Sequence, residues 1–511
     1  MAYIVKKMIT RRFVSVCSSN RANNTRRFTS ATLQTSVACL LRQKLDSSEP
    51  GDLQADNEVV LNGYIHSIRN QKTRSFAAIG DGSCLQSLQA LLTPAQAKGW
   101  DSLSFGTAVT VRGSWKKSLN PTGQTHELHV SKLDVVAATD SNFPLQKKYQ
   151  TPEYLRTIPH LRMRTPFNTT LLRLRSEVIA VITKKLSEMS FIQTHTPIIT
   201  SSDCEGAGEV FQIGLASKHK SSSGQEFFRS PKYLTVSSQL HLEALAQAVG
   251  KVWTLSPAFR AEKSDTSRHL SEFYMLEAEI NFADSMYDVM KLIQEILLPV
   301  VQTLYSSQIG DEILSRGPLG EKDTKRRWDG ISSPWKCITY TDAIKILKSC
   351  THIFDHEPKF GLNLQAEHER YLTNEVGVTS DRASPLFVTH FPRAIKPFYM
   401  LPSESNDDGL ETVECFDVLV PDLGEMAGGS LREYRLEPLI KSMFMNELIP
   451  SNSPSDQDLR DLKWYVDLRK WGCVPHGGFG LGFDRLLGFL AGVANIREMV
   501  TFPRWVGRCD C

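Results

Sequence analysis

The chain lacks both of the commonest glycine-rich phosphate cradles: it has no GxxxxGK[ST], and no GxGxxG between a strand and a helix. A nucleotide bound here must therefore have its phosphates held by side chains. The ten cysteines are scattered with no CxxC pair, which speaks against a structural zinc site or a dense disulfide framework and fits a reducing interior compartment. The terminal pair Cys509 and Cys511 has no partner cluster that would complete a metal site. No apolar run is long enough to span a bilayer; the longest near the C-terminus, "GFGLGFDRLLGFLAGV", is broken by Asp484 and Arg485. Net charge is small, +3 at pH 7, so any nucleic-acid surface must come from local patches.

Acid is missing from one place in particular. There is no Asp or Glu before Asp46, while Lys6, Lys7, Arg11, Arg12, Arg21, Arg26, Arg27, Arg42 and Lys44 stand among many Ser and Thr. Residues 1–45 thus have the composition of a mitochondrial presequence, a basic amphipathic segment suited to import. A disordered basic arm that touches RNA is the alternative reading.

With 41% hydrophobic and 23% charged residues over 511 positions, the remainder has enough apolar content for two or three domains with cores. Residues 57–140 carry short alternating runs such as "EVVLNGYIHSI", "RSFAAIG" and "AVTVRGSWKKS", separated by "DGS" and "NPTG". Five such strands predict a small closed barrel of the oligonucleotide-binding (OB) type. Its candidate base-reading residues are Phe76 as a ring platform, with Gln89, Arg69 and Lys72 as polar partners. Ordinary core for Phe76 and a solvated strand position for Gln89 are equally open on this segment alone. Residues 141–170, rich in Pro and basic residues, read as a hinge or linker whose Arg162 and Arg164 would touch a polyanion.

Residues 171–511 read as one large α+β domain. "LLRLRSEVIAVITKKLSEMSF" is apolar at helical spacing and leads into a β-branched strand holding Pro197. "SMYDVMKLIQEILLPVVQTLY" places Met286, Met290, Ile293 and Leu297 on one stripe, which core packing explains without a cofactor. Helices are too sparse for βαβ alternation, so an antiparallel sheet flanked by helices is expected. The polar stretch 310–330, "GDEILSRGPLGEKDTKRRWDG", is expected to be a mobile excursion.

Within this domain, "FRAEKSDTSRHLSEFYMLEAE" (259–279) folds most simply as a hairpin with a polar loop. Arg260 and Glu262, two apart on a strand, share a face. Arg260 can fork onto a phosphate or carboxylate, Glu262 can accept from an amine, Arg268 and His269 can clamp distal phosphates, and Phe273 offers a ring to a purine. A surface hairpin laced with salt bridges would have the same composition. A second constellation, "HGGFGLGFDRLLGFL" (476–490), is a glycine-rich strand entering a helix; its glycines, Gly482 among them, permit close backbone approach to a ligand, and Arg485 adds a second fixed cation.

The helix and strand ending at Pro197, the hairpin and the glycine strand, in that order, resemble motifs 1, 2 and 3 of the class II aminoacyl-tRNA synthetases. "FRAE…RHLSEF" and "GFGLGFDR" carry the match, and with an N-terminal barrel it extends over everything after residue 57 and points to the aspartate, asparagine and lysine subgroup. The resemblance implies that Arg260 contacts the α-phosphate and the amino-acid carboxylate, Phe273 stacks on adenine, and Arg485 holds the γ-phosphate of a bent ATP. It implies that Glu425 binds Mg2+ or the ATP itself. Asp417 is a second metal candidate, although its spacing to Glu425 is one residue longer than in the aspartate enzymes.

Three stretches, "DCEGAGEVFQI", "YLTVSSQLHLE" and "GEMAGGSLREYR", look like the asparaginyl branch. Aspartyl enzymes carry a lysine where this chain has Leu242, and Glu243 beside it would repel a second carboxylate and accept from a carboxamide. Arg432 would donate to the side-chain oxygen, and Gln239 and Glu205 would hold the substrate ammonium. Ser238 replaces the usual glycine of "SGQL", a mild crowding. The implied activity is ATP-dependent formation of asparaginyl-adenylate and transfer to the 3′ end of mitochondrial tRNA(Asn) by a homodimer, with Phe76, Gln89 and Arg69 reading the anticodon's middle uridine. Rival readings are an aspartate-charging enzyme, a silent RNA-binding paralogue and an asparagine-forming ligase on the same fold; the missing lysine, the intact charged residues and the barrel speak against them in turn.

Overall fold

A computed structural model describes residues 34–42, 58–93, 96, 103–119, 124–201, 210–214, 227–228, 230–404 and 411–511. The five expected barrel strands are β2 (Glu58–Asn70), β3 (Ser75–Gly80), β4 (Leu88–Leu92), β5 (Ala108–Lys117) and β6 (His126–Ala137). They pair in the order β2-β3-β4-β6-β5, and β2–β5 pairing closes the barrel. Alternation along each strand sends Leu61, Ile65, Ala77, Ile79, Val109 and Val111 inward.

The barrel begins earlier than composition suggested. Gln34–Thr35 forms β1, which pairs with β2, and the helix Val37–Arg42 buries Val37 and Leu40 in the barrel core. Residues 34–42 were expected within a presequence ending at 45; they are instead part of the folded barrel, because acid-poor composition does not distinguish an amphipathic plug from a targeting helix. Residues 1–33 and 43–45 lie outside the described residues.

The hinge is more ordered than its sequence suggested. Short helices Pro152–Thr157 and Pro159–Arg162 start on prolines, which suit a first helical turn, and Thr151 caps the first by accepting from the Tyr154 amide. The long helix runs from Pro166 to Glu188 and so begins before the expected boundary at 171. Of the two candidate arginines, Arg162 is withdrawn from solvent, whereas Arg164 remains exposed. Arg162 is 0% exposed, donating to the carbonyls of Arg497, Glu498 and Val500, and Arg164 lies over the rings of Tyr64 and Phe143.

The large domain is built on an eight-stranded sheet, order β12-β13-β14-β15-β16-β11-β10-β7. These are β7 (Ile192–Gln193), β10 (Lys251–Phe259), β11 (Glu272–Asn281), β12 (Lys336–Thr339), β13 (Leu386–Thr389), β14 (Cys415–Val420), β15 (Gly424–Leu431) and β16 (His476–Gly482). The expected antiparallel sheet is its centre, but each edge adds a parallel pair, β12–β13 and β7–β10, so the whole is mixed. The strand expected around Pro197 is split into β7 and β8 (Ile199–Thr200), and β8 pairs in a separate sheet with β9 (Tyr233–Leu234). Proline has no N–H for a ladder, which accounts for the break. The helix Met286–Ser306 lays Met286, Met290, Ile293 and Leu297 against the sheet, as its stripe predicts.

Stretch 310–330 is not an excursion. It forms the end of the helix Gln308–Arg316 and most of Glu321–Ser332, and Trp328 is 0% exposed with its indole N–H donating to the Leu490 carbonyl. Its polarity misled because its few apolar side chains are spaced to fall on one buried face.

Candidate active site

Two cavities meet on the face formed by β10, β11, β14, β15 and β16. The smaller, about 120 Å3, is lined by Arg260, Glu262, Arg268, His269, Phe273 and Arg485, with Glu425 and Gly482 also on its wall. The larger, about 460 Å3, is lined by Gln239, Leu242, Glu277, Glu279, Asp417 and Arg432, with Lys396 and Tyr399 closing it. Arg260, Met275, Glu425 and Gly480 line both, so the two spaces are continuous.

The hairpin supplies most of the smaller cavity. β10 and β11 pair with Phe259 opposite Glu272 and Ala258 opposite Phe273, and the Arg260 amide donates to the Ser271 carbonyl at 3.1 Å, extending the ladder one residue beyond the strands. This presents the Arg260 guanidinium to Phe273, 5.8 Å from the ring centroid, and to Glu262, 3.8 Å away. Glu262 also accepts from His269 at 3.1 Å; burial and the surrounding arginines hold that imidazole below its ordinary range against the pull of Glu262. Arg268 is paired with Glu369 at 3.1 Å. Burial, and then Glu425, push the Glu369 carboxyl up to about 7. Arg485 stands in the first turn of the helix Phe483–Ala491 and donates to the Glu425 carbonyl.

The larger cavity is walled by buried ion pairs. Arg432 forks onto Glu279, Nε to Oε1 at 3.1 Å and Nη2 to Oε2 at 3.0 Å, and its Nη1 donates to Ser430 at 2.7 Å. Residue exposures of 3% and 1% make this a desolvated, bidentate pair. It also explains a glycine of the 476–482 strand: a Cβ on Gly478 would stand 2.0 Å from Glu279 Oε2. Glu277, two residues along the same face, accepts from the Ser238 amide at 3.0 Å and from the Ser237 hydroxyl at 2.5 Å.

Glu243 does not line the cavity. Its Oε2 accepts from Arg469 at 2.7 Å, Tyr465 at 2.8 Å and His476 at 3.0 Å, and its Oε1 from Gln239 Nε2 at 3.0 Å. The direct contact expected between Glu243 and a carboxamide is therefore not available, since this carboxylate is engaged by Arg469, Tyr465, His476 and Gln239. Burial alone would raise its pKa, but Arg469 and His476 reverse that and hold it ionised. His476, opposed by burial but drawn by Cys473 and Glu243, is pushed up to about 10.

Asp417 meets Lys396, whose Nζ donates to both carboxylate oxygens at 3.0 and 2.9 Å. Burial raises Asp417 to about 6 even so. The longer spacing to Glu425 is taken up by a bulge, since Val418 pairs with Ala427 and Leu419 with Glu425, leaving Met426 unpaired. Above Gly428 the two carboxylates converge: a Cβ there would lie 3.1 Å from Glu425 Oε1 and 3.4 Å from Asp417 Oδ1. Among the described residues no group of three or more His, Cys, Asp or Glu is set to chelate a metal. This donor set fits a hard cation that brings phosphate ligands with it, held by Glu425, with Asp417 already compensated by Lys396.

On the barrel, Phe76 pairs with Arg69 across β2–β3, and the guanidinium lies 5.8 Å from the ring. Gln89 pairs with Ala78, the diagonal neighbour of Phe76 on one outward face, and donates from Nε2 to buried Glu127 at 3.1 Å. Lys72 is exposed beyond them in the β2–β3 turn.

All the site residues expected from the sequence are thus gathered in these places except Glu243, one layer behind the wall, and Glu205, which lies outside the described residues. Glu277, Glu279, Glu369, Lys396, Arg469 and His476 were missed. For Glu277 and Glu279 a signal existed: acids at alternate positions of "FYMLEAE" face the same side as Phe273, and buried acids on a strand require partners. Glu369 lies in the short helix Ala366–Leu372 and Lys396 directly after the turn Arg393–Ile395, and neither stretch carries such a signal.

A model of tRNA synthetases class II (D, K and N) matches residues 151–506. The mitochondrial asparagine–tRNA ligase of Schizosaccharomyces pombe is 41% identical over 458 residues, spanning 88% of this chain and 94% of that enzyme. The asparagine–tRNA ligase of the bacterium Desulfotalea psychrophila is 41% identical over 463 residues, spanning 90% and 98%. Among solved structures, asparaginyl-tRNA synthetase from Pyrococcus horikoshii complexed with asparaginyl-adenylate superposes with a TM-score of 0.74 at 30% identity, covering 88% of this chain and 96% of that one. The chain belongs to the class II aminoacyl-tRNA synthetases of the D, K and N group, and within it to the asparaginyl-tRNA synthetase family.

Proposed function

We propose that this chain activates asparagine with ATP and transfers it to tRNA(Asn), the smaller cavity taking ATP and the larger the amino acid. The observation that carries this is the position of Arg260 on the wall of both cavities, where one guanidinium reaches the α-phosphate and the attacking carboxylate together. Phe273 receives adenine, Glu262 its amine, and Arg268, His269 and Arg485 the distal phosphates. Gln239 and Glu277 face the substrate ammonium. No protein nucleophile is required: the asparagine carboxylate attacks the α-phosphorus, pyrophosphate leaves, and the terminal ribose hydroxyl of the tRNA then attacks the activated carbonyl. Catalysis is positioning and charge neutralisation by fixed cations. Glu425 would hold Mg2+, which would supply further charge neutralisation when bound.

The side-chain end of the larger cavity supports asparagine over aspartate. Arg432 offers N–H donors but its charge is already matched by Glu279, so a neutral carboxamide is accommodated where a carboxylate would arrive without an unpaired cation to meet it.

In the barrel, Gln89 commits its amide nitrogen to Glu127, which turns its oxygen toward an imide N–H such as that of uridine stacked on Phe76. The exposed Ile192, Ile198 and Ile199 around Pro197 support a homodimer. The acid-poor stretch ahead of Gln34 supports a mitochondrial address, with removal upstream of residue 34 since Val37 and Leu40 are barrel core. Among the described residues no helix is long and apolar enough to cross a membrane.

ATP–pyrophosphate exchange run separately with asparagine and aspartate tests the reading. Exchange is expected with asparagine; exchange with aspartate alone, or with neither, overturns it.

A further inference from the structure

The helix Gln308–Arg316, part of the stretch that carries no motif, holds a buried carboxylate outside both cavities. Glu312 Oε1 accepts from the Leu85 amide at 2.9 Å, from Gln308 Nε2 at 3.1 Å and from Arg173 Nη1 at 3.3 Å. Its Oε2 accepts from the Thr170 hydroxyl at 2.8 Å and from Arg173 Nη2 at 2.5 Å. Leu85 belongs to the barrel, in the loop between β3 and β4; Thr170 and Arg173 belong to the first turns of the long helix of the large domain. One carboxylate therefore ties barrel to catalytic domain.

The same barrel loop is gripped from its other side. Asp81 and Ser83 accept from the Val37 and Ala38 amides at 2.9 and 3.0 Å, at the start of the helix whose last residue, Arg42, donates to Gln308 at 3.0 Å. The apolar cores of the barrel and of the large domain are separate clusters. Between barrel and hinge lies a cavity of about 270 Å3, lined among others by Tyr64, Phe105, Leu85 and Arg164. Where a domain junction encloses a void, its angle depends on its few directional contacts, and charged hydrogen bonds are the strongest of these.

We propose that Glu312 is a positioning residue for tRNA: it fixes the angle between barrel and catalytic domain so that a tRNA held at its anticodon delivers its 3′ end to the adenylate. This rests on the reading of the barrel and cavities given above. A tRNA spans both domains, so a small rotation at the junction becomes a large displacement at the far end, whereas adenylate formation uses only the catalytic face.

The test compares ATP–pyrophosphate exchange, charging of full-length tRNA(Asn), and charging of an acceptor-stem minihelix that lacks the anticodon, in wild type, Glu312→Ala and Glu312→Gln. Glu312→Ala is expected to leave exchange and minihelix charging within about twofold and to raise KM for full-length tRNA roughly tenfold, the scale of one lost charged hydrogen bond. Glu312→Gln, which keeps one oxygen for the Leu85 amide but puts an NH2 in place of the oxygen that Thr170 and Arg173 Nη2 meet, should fall between. Full-length charging unchanged in Glu312→Ala, or minihelix charging lost in proportion to it, overturns the proposal. If Glu312→Ala does not fold, Arg42→Ala at the exposed second tie should show the same selective loss, and its absence there overturns the proposal as well. Failure of wild type to exchange with asparagine would instead sink the reading of the cavities.

Discussion

The larger cavity and the outer face of the barrel, proposed above to take the amino acid and the anticodon, are built in opposite ways. In the cavity, Arg432 and Glu279 are desolvated, Lys396 and Asp417 are part-buried, and each already has a protein partner of opposite charge. On the barrel, Arg69 is exposed, Phe76 and Gln89 are half-buried, and the Gln89 amide oxygen has no protein partner among the described residues. A small substrate can pay little for reorganisation, so its site must be set in advance. A nucleotide base brings its own ring face and hydrogen-bonding edge, so a platform and one oriented amide suffice.

Substitutions that strike one region and spare the other sharpen this contrast. Arg260→Ala should have the largest effect, lowering exchange by about a thousandfold, near the upper end expected for removal of one preorganised charge-stabilising group, with charging falling in step. Retention of exchange would mean that the two cavities do not share the reacting atoms. Glu279→Ala should destabilise the fold by roughly 3–5 kcal/mol, because it leaves Arg432 buried and unmatched. Arg69→Ala on the barrel should change unfolding by no more than about 0.5 kcal/mol. Urea unfolding of both variants checks this, and equal losses would erase the contrast.

Phe76→Ala should leave exchange intact and raise KM for tRNA by ten- to a hundredfold, from the roughly 1–3 kcal/mol of a lost base stack. Equal loss in exchange and charging would show that Phe76 is only barrel core. The smallest effect is a pH dependence. His476 is raised from the ordinary 6.5 to about 10, so its contribution to stability is complete below pH 6.5 and is lost as pH rises through 10. Melting temperature should fall across that window in wild type and fall less in His476→Gln; parallel curves would remove His476 as the cause.

Much of this organisation was legible beforehand because it rests on short-range periodicity. Alternation marked the barrel strands, helical spacing marked the stripe Met286, Met290, Ile293 and Leu297, and a two-residue step put Arg260 and Glu262 on one face. The failures share a cause. Arg162 looked available because the sequence shows charge but not burial, and the stretch 310–330 looked mobile because Trp328 and Glu312 find their partners far along the chain. Likewise "SVACLL" read as part of a targeting segment because nothing nearby reveals that Leu40 fills a barrel.

By itself the sequence determined the family, the hairpin that would hold ATP, the glycine strand and the barrel's strands, since each motif or alternating run is read from residues within a few positions of one another. Only the tertiary structure decided that Arg432 is matched by Glu279, that Glu243 is withdrawn behind Gln239, that Lys396 occupies Asp417, and that Glu312 joins the two domains. Those pairings link residues distant in the chain, and only packing decides which buried charge meets which.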